Sequence, residues 1–264
     1  MNARLFARWL VRLAAIVLLV PASASAEDVR VMISAGFYQV FAALSPTFEK
    51  TTGHRLVVTR GPSMGDSPEA IPNRLARGET ADVVIMDGGG ADELLKRGFV
   101  RPGSKIELAL SQVGMVVRAG AAKPDISTVE AFKRTLLAAK SIGHSDSASG
   151  VYFQTTLFPK LGIADQVARK TRSVRGPPSG EPVAAVVARG EVEIGFQQVS
   201  ELLHVPGVTF VGPIPAELQP GHAFAGAITT NSKQPEAALA LLRLLASSAA
   251  DPILKENGLR PSAR

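Results

Sequence analysis

Several strand-like runs of this sequence end in small polar residues that could hold a ligand by hydrogen bonds. Ser34-Ala35-Gly36 follows the first run, and Gly61-Pro62-Ser63-Met64-Gly65 follows the second. Later, serines crowd residues 145–150, and Gln197-Gln198 ends another run. Backbone N–H groups at helix starts, with hydroxyl donors beside them, are suited to capturing an anion. One such junction alone is more typical of an ordinary cap or turn, but their recurrence in both halves favours a shared binding site.

A serine hydrolase is an alternative interpretation of one of these junctions. Residues 61–65 match the G-x-S-x-G pattern of a nucleophile elbow, in which Ser63 would be the nucleophile. An elbow requires a helix to begin at the serine, whereas Asp66-Ser67-Pro68 delays the helix here. The pattern therefore argues only weakly for hydrolysis.

Other chemistries find little support in the sequence. Asp87-Gly88-Gly89-Gly90 lacks the Lys-Ser/Thr of a phosphate loop and predicts a strand-end turn. The four histidines show no metal-ligand spacing, so we expect no metal site and no cofactor. The absence of cysteine excludes disulfides, thiolate metal sites and cysteine nucleophiles. Lysine and arginine are not clustered, so we expect no nucleic-acid partner.

Residues 1–26 have the pattern of a cleavable signal peptide. Arg4, Arg8 and Arg12 precede an apolar run at 13–20, and Ala24-Ser25-Ala26 gives a small-x-small cleavage site. The run is too short to span a membrane. Removal of residues 1–26 lowers the formal net charge from +6 to +3. Because the sequence has no cysteine, we expect no lipid anchor on the product. We expect a free periplasmic protein.

The remaining chain alternates short strands with helices. Residues 28–98 read as β-α-β-α-β-α, the order of an open α/β sheet, and a second α/β set begins near residue 110. We predict two lobes, each a mixed sheet flanked by helices, with the ligand in the cleft between them. Lobe I would comprise residues 27–110 plus 222–264, and lobe II residues 111–221.

The whole chain after the leader resembles the periplasmic substrate-binding proteins of ABC importers, within them the molybdate-binding-protein-like group. The resemblance is carried in order by five segments: 46–53 (PTFEKTTG), 77–85 (RGETADVVI), 149–152 (SGVY), 190–195 (GEVEIG), and the ending from Pro235-Glu236-Ala237-Ala238 to Asn257-Gly258-Leu259. It implies a type II binding-protein fold, closure of two lobes on a small anion, and an ABC transporter permease as partner. We also expect a monomer.

The junctions and the resemblance together predict the ligand contacts. They are Ser34, Gly36, Ser63, Ser147, Ser149 and Gln198, with Arg60 as a further candidate that could pair with a carboxylate. Gly36 stands where molybdate binders have a serine, and Gln198 stands near the place of their tyrosine. The ligand is therefore left open between a molybdate-like oxyanion and a small carboxylate, since glutamine both donates and accepts hydrogen bonds.

The predicted function is the capture of a small anion and its delivery to a membrane permease, without enzymatic activity. Two alternatives remain: a secreted serine hydrolase that uses Ser63, and a ligand-sensing periplasmic adaptor of the same fold.

Overall fold

The computed structural model describes residues 27–263, which form two β-sheets with helices packed on their faces. The predicted signal peptide, residues 1–26, lies outside the described residues. The strands are β1 (Asp28–Ile33), β2 (Arg55–Arg60), β3 (Val83–Asp87), β4 (Ile106–Leu110), β5 (Val113–Arg118), β6 (Ile142–Ser145), β7 (Thr171–Val174), β8 (Ile194–Gln198), β9 (Val208–Pro213), β10 (Ala223–Ile228) and β11 (Arg260–Pro261).

The helices lie mostly between strands along the chain. The α-helices are α1 (Ala35–Thr52), α2 (Ile71–Ala76), α3 (Gly88–Lys96), α4 (Val129–Ala138), α5 (Ala148–Tyr152), α6 (Phe158–Lys160), α7 (Ala164–Ala168), α8 (Val183–Ala188), α9 (Val199–Leu202), α10 (Pro235–Leu245) and α11 (Asp251–Glu256). A π-helical turn, Phe153–Leu157, joins α5 to α6, and short 3-10 turns lie at Ala216–Leu218 and Ser248–Ala250.

The first sheet has the strand order β11-β4-β10-β3-β1-β2. Strands β2 and β3 run parallel to β1, whereas β10 is antiparallel to both β3 and β4. Every residue of β3 is buried because helices cover both faces of the sheet, which explains its continuous apolar sequence. The carboxyl ends of β1, β2 and β3 consequently meet at one edge.

The second sheet has the strand order β7-β6-β8-β5-β9. Strands β7 and β8 run parallel to β6, and β5 is antiparallel to β8 and β9. The carboxyl ends of β6, β7 and β8 therefore share an edge, as in the first sheet.

Apolar helix stripes build the core of the first half. On α1, Phe37, Val40, Phe41, Leu44 and Phe48 are buried at helical spacing. On α10, Ala238, Leu241, Leu242 and Leu245 form a stripe that is buried in the same cluster.

The buried Asp82 carboxylate joins β1 to the start of α10. It accepts hydrogen bonds from the backbone N–H groups of Arg30 (2.8 Å), Lys233 (2.8 Å) and Gln234 (3.1 Å), and from the Ser232 hydroxyl (3.0 Å). Four donors compensate the burial of this charge, so a carboxylate can remain in the interior.

The predicted fold class is confirmed: two mixed sheets flanked by helices form a type II binding-protein architecture. The strands β1–β4, β10 and β11 belong to one sheet and β5–β9 to the other. The exact lobe boundaries, 27–110 plus 222–264 and 111–221, stay a prediction. Helix α4 begins after Thr128, whose hydroxyl accepts a hydrogen bond from the Ala131 backbone N–H (3.1 Å).

In residues 27–263, no single helix is long and apolar enough to cross a membrane. The segments Pro235–Leu245 and Ser248–Glu256 reach that length only together, across a 54° bend.

Candidate functional site

A small cavity lies between the two sheets, where their strand ends face each other. The first sheet contributes Ser34 and Gly36 after β1 and residues 61–63 after β2. The second contributes residues 145–149 after β6 and Gln197 and Gln198 at the end of β8. About 30 Å³ is open to the centre of a water-sized sphere, which suits a compact ligand.

Six of the seven predicted contact residues line this cavity. They are Ser34, Gly36, Ser63, Ser147, Ser149 and Gln198. The structure thus brings together residues that lie as far apart in sequence as Ser34 and Gln198. Their contact with a ligand remains a proposal.

Ser34 combines a helix start with an unused hydroxyl. It precedes the 18-residue helix α1 but makes no side-chain capping bond. Its side chain is only 4% exposed, and its Oγ has no hydrogen-bond partner within residues 27–263. A buried hydroxyl without a partner costs free energy, so Ser34 is available to bind a ligand together with the free N–H groups of the first α1 turn.

Gly36 is required for packing against Phe224. A Cβ at position 36 would lie 2.4 Å from Phe224 Cζ, closer than real contacts allow. Phe224 is buried and also lines the cavity. The glycine at this position thus has a packing reason, whatever its role toward a ligand.

Ser63 and Ser147 connect the two halves across the cavity. The backbone N–H of Ser63 donates to Ser147 Oγ (3.1 Å), and the backbone N–H of Asp87 donates to Ser63 Oγ (3.0 Å). Gly65, with φ +106°, lies so close to Asp146 that a Cβ would be 2.5 Å from its carbonyl oxygen. These contacts describe a closed cleft.

The described residues around Ser63 do not have the arrangement of a serine hydrolase active site. The next helix, α2, begins only at Ile71, so there is no nucleophile elbow. Within residues 27–263, no histidine forms a hydrogen bond with Ser63. His222, which could have served as the base, instead places Nδ1 2.8 Å from Asp87 Oδ2.

Ser149 and Gln198 are held by neighbouring polar groups. Ser149 Oγ lies 2.9 Å from Ser145 Oγ, and the Ser111 hydroxyl donates to Gln198 Oε1. These bonds fix the orientation of both side chains and leave the amide N–H groups of Gln198 free of protein partners within the described chain.

Arg60 lies outside the cavity lining. Its guanidinium stacks over the Tyr38 ring, 4.3 Å from the ring centroid, and its buried Nε has no hydrogen-bond partner among the described residues. The structure does not bring Arg60 into the group of lining residues, although its charge acts on Glu201.

Glu201 is the most informative lining residue that the sequence analysis missed. It lies on α9, directly after β8, and Gln197 Nε2 donates to its Oε2 (2.6 Å). Burial raises the pKa of Glu201 to about 7, while the Gln197 hydrogen bond and the Arg60 charge act in the opposite direction. Because the side chain changes protonation near neutral pH, it can both accept and donate a proton.

Two further carboxyl groups line the cavity, Asp87 and Asp146. Asp87 Oδ1 accepts from the backbone N–H groups of Gly89 and Gly90, so Asp87 caps α3 rather than ending in a free turn. Asp146 Oδ1 accepts from Gly176 N–H (3.1 Å).

The cavity lining in residues 27–263 contains no lysine, arginine or histidine. Hydroxyl groups, amides and backbone N–H groups would therefore have to hold an anion. In the same described range, no group of three or more histidine or acidic side chains is arranged to hold a metal ion.

The sequence relationships agree with this geometry. A family model of bacterial extracellular solute-binding proteins matches residues 29–260. The chain belongs to this family. Its members bind small solutes. The resemblance to periplasmic substrate-binding proteins that was predicted from the sequence is confirmed.

Two relatives that match most of the chain are named for different small molecules. The aconitate isomerase of a Pseudomonas species is 47% identical over 231 residues, covering 88% of this chain and 87% of that protein. The molybdate-binding protein ModA of Azotobacter vinelandii is 24% identical over 245 residues, covering 91% and 92%.

Solved structures support the fold. The periplasmic molybdate-binding protein of Azotobacter vinelandii matches with a TM-score of 0.70 at 20% identity, over 89% of this chain and 100% of that one. The sulfate-binding protein of Mycobacterium tuberculosis matches with a TM-score of 0.68 at 20% identity, over 89% and 87%.

The expectation that this solute-binding protein is not an enzyme is contradicted. A relative with nearly half of its residues identical over most of both chains is named for an enzymatic activity. Glu201, which the sequence analysis did not single out, lines the cavity and has a pKa raised by burial to about 7.

Proposed function

We propose that this protein binds a small unsaturated polycarboxylate and isomerises it, with aconitate as the substrate to test. The relative named aconitate isomerase is the observation that carries the proposal. The lining residues Ser34, Gly36, Ser63, Ser147, Ser149 and Gln198 are the proposed ligand contacts. Arg60 would act from outside the lining.

The donor groups that line the cavity suit the charge of aconitate. The closed cavity of about 30 Å³ is smaller than a tricarboxylate, so binding requires the two halves to move apart. Aconitate is a tricarboxylate with one C=C bond, and its cis and trans forms interconvert if a proton moves from its methylene carbon to the far alkene carbon. The step builds negative charge on the carboxylate-bearing carbons. The first turn of α1 and the Ser34 hydroxyl offer fixed donors to such charge.

The protein would work in the periplasm after removal of residues 1–26, as a free monomer without a lipid anchor. This proposal depends on the signal-peptide pattern and on the extracellular nature of the family.

Capture of the same anion for an ABC transporter permease is a second candidate, favoured by the match of the solute-binding family to residues 29–260. Closure of the cleft would then present a surface to the permease or, in an adaptor, to a receptor.

Turnover distinguishes the candidates. Purified protein is incubated with one isomer of aconitate, and the vinyl proton signals are followed by NMR. Conversion at a rate proportional to protein concentration supports the isomerase. Binding of aconitate without conversion would favour the transport candidate, and the absence of both would contradict the proposed ligand class.

A further inference from the structure

Three carboxyl groups line the cavity, and their hydrogen bonds separate their roles. Both Asp87 oxygens are occupied: Oδ1 accepts from Gly89 and Gly90, and Oδ2 lies 2.8 Å from His222 Nδ1. An acid with every acceptor engaged in capping a helix and pairing with a histidine is poorly placed to take a proton from a ligand.

Asp146 stands at the boundary between the cavity and solvent. It also lines an adjoining open groove together with Asp66, His144 and Arg175. Its Oδ1 is engaged by the Gly176 N–H. Because Asp146 also borders the open groove, its carboxyl group is less enclosed than one that lines the cavity alone.

Glu201 lines the cavity but not the adjoining groove that Asp146 also lines. Its Oε2 accepts from Gln197 Nε2, whereas Oε1 has no hydrogen-bond partner within residues 27–263. Gln197 is itself fixed, because its Oε1 accepts from the Val183 N–H (3.0 Å). The hydrogen bonds from Val183 to Gln197 and from Gln197 to Glu201 therefore hold this carboxyl group in the cavity wall.

Resting on the proposed isomerase function, we propose that Glu201 is the catalytic residue that carries the proton between the two carbons of the substrate. Oε1 removes a proton from the methylene carbon. The electron pair of that C–H bond becomes the new C=C bond, and the former C=C pair takes a proton from Glu201 at the far carbon. In D2O this proton is a deuteron whenever the Glu201 carboxyl group exchanges with solvent before the return step. The step needs no oxidant, reductant or other reactant.

One carboxyl group can serve both carbons because they are the two ends of a three-carbon unit held against a single face. The raised pKa of Glu201 matches this double role, since a group with a pKa of about 7 is present in both protonation states near neutral pH. Arg60 and Asp146 are the charged groups that act on Glu201, with opposite signs.

The test compares Glu201→Gln with wild type in D2O, with aconitate as substrate and propane-1,2,3-tricarboxylate as an unreactive binding probe. Glutamine keeps the acceptor for Gln197 but cannot take the proton. We expect kcat to fall about 10²- to 10⁴-fold, deuterium incorporation into the methylene group to fall with it, and the probe to bind within about threefold of wild type.

Three further variants test whether the effect is specific to the Glu201 carboxyl group. Glu201→Asp, which keeps a base on a shorter side chain, should recover part of the lost kcat. Asp146→Asn should still exchange deuterium. Glu217→Gln, a change at an exposed carboxylate away from the cavity, should match wild type. The wild-type kcat/KM should rise with pH to a plateau above about 7, because the base must be ionised.

Different experimental results would contradict the role of Glu201 and the proposed isomerase function. If wild type neither isomerises aconitate nor exchanges deuterium, the proposed function fails. The assignment of Glu201 alone is overturned if wild type is active and Glu201→Gln keeps more than about a tenth of kcat, if Glu201→Gln also loses the binding probe, or if Asp146→Asn abolishes the exchange.

Discussion

Ser34 is the residue whose role in ligand binding can be tested with least disturbance of the fold. Its buried hydroxyl has no hydrogen-bond partner in residues 27–263, so removing it should leave the unliganded protein as stable as before or slightly more stable. A bond to an ionised ligand is worth about 1.5–3 kcal/mol, so Ser34→Ala should weaken binding of propane-1,2,3-tricarboxylate about 10- to 100-fold.

Calorimetric titration and thermal melts check this prediction. Ser45→Ala is a matched control, because Ser45 lies on the same helix and its hydroxyl donates to Phe41 O (2.7 Å), away from the cavity. It should leave the affinity unchanged. A Ser34→Ala protein that binds as tightly as wild type would remove Ser34 from the ligand contacts.

The sequence predicted that Ser34, Ser63, Ser147 and Ser149 lie close together, because strand ends in an α/β sheet meet at one edge. All four line the cavity, and their contact with a ligand stays a prediction. Glu201 was missed because the short helix α9 carries too few residues to show a periodic pattern, and its start after Gln198 was not recognised.

Helix α1 is the element that holds the Ser34 end of the cavity, and Gly36 sets its position. Gly36→Ala places a methyl group 2.4 Å from Phe224 Cζ, so either the ring or the helix must move. Overpacking of this kind costs about 1–3 kcal/mol. Denaturant unfolding should show that loss, and binding of propane-1,2,3-tricarboxylate should weaken.

A second substitution tests whether the clash with Phe224 causes the loss of stability in Gly36→Ala. In a Phe224→Leu background the added methyl group meets a smaller side chain, so Gly36→Ala should cost less there than in wild type. An equal cost in both backgrounds would show that the clash with Phe224 is not what fixes α1.

Most elements followed from the sequence because their patterns are long or strongly apolar. The alternation of strands and helices predicted for residues 28–98 is present as β1, α1, β2, α2, β3 and α3. Strands β4 and β11 were not predicted, because β11 has two residues and both strands are specified by pairing with distant partners.

The whole molecule is held closed by contacts between its two halves. Ser63 N–H donates to Ser147 Oγ, and the Ser179 hydroxyl donates to Glu69 Oε2. A hydrogen bond contributes only about 0.5–1.5 kcal/mol to stability, so a bound ligand should add substantially to the free energy that keeps the cleft shut.

Ligand binding should therefore raise the melting temperature. At a ligand concentration of 100 times Kd, linkage gives about 2.7 kcal/mol, which for a chain of this size corresponds to about 5–10 °C. Thermal melts with aconitate, propane-1,2,3-tricarboxylate, molybdate and sulfate compare the ligand classes. A shift with molybdate or sulfate but with neither carboxylate would place the ligand among the oxyanions.

Isomerisation by a protein with a solute-binding fold is tested by the approach to equilibrium from both sides. Purified protein is added separately to cis- and trans-aconitate, and both solutions are followed by NMR until the spectra stop changing. We expect both to reach the same ratio of isomers, at rates proportional to protein concentration and strongly reduced in Glu201→Gln. If both isomers remain unchanged in the presence of protein that binds them, the protein is a carrier of these anions and not an isomerase.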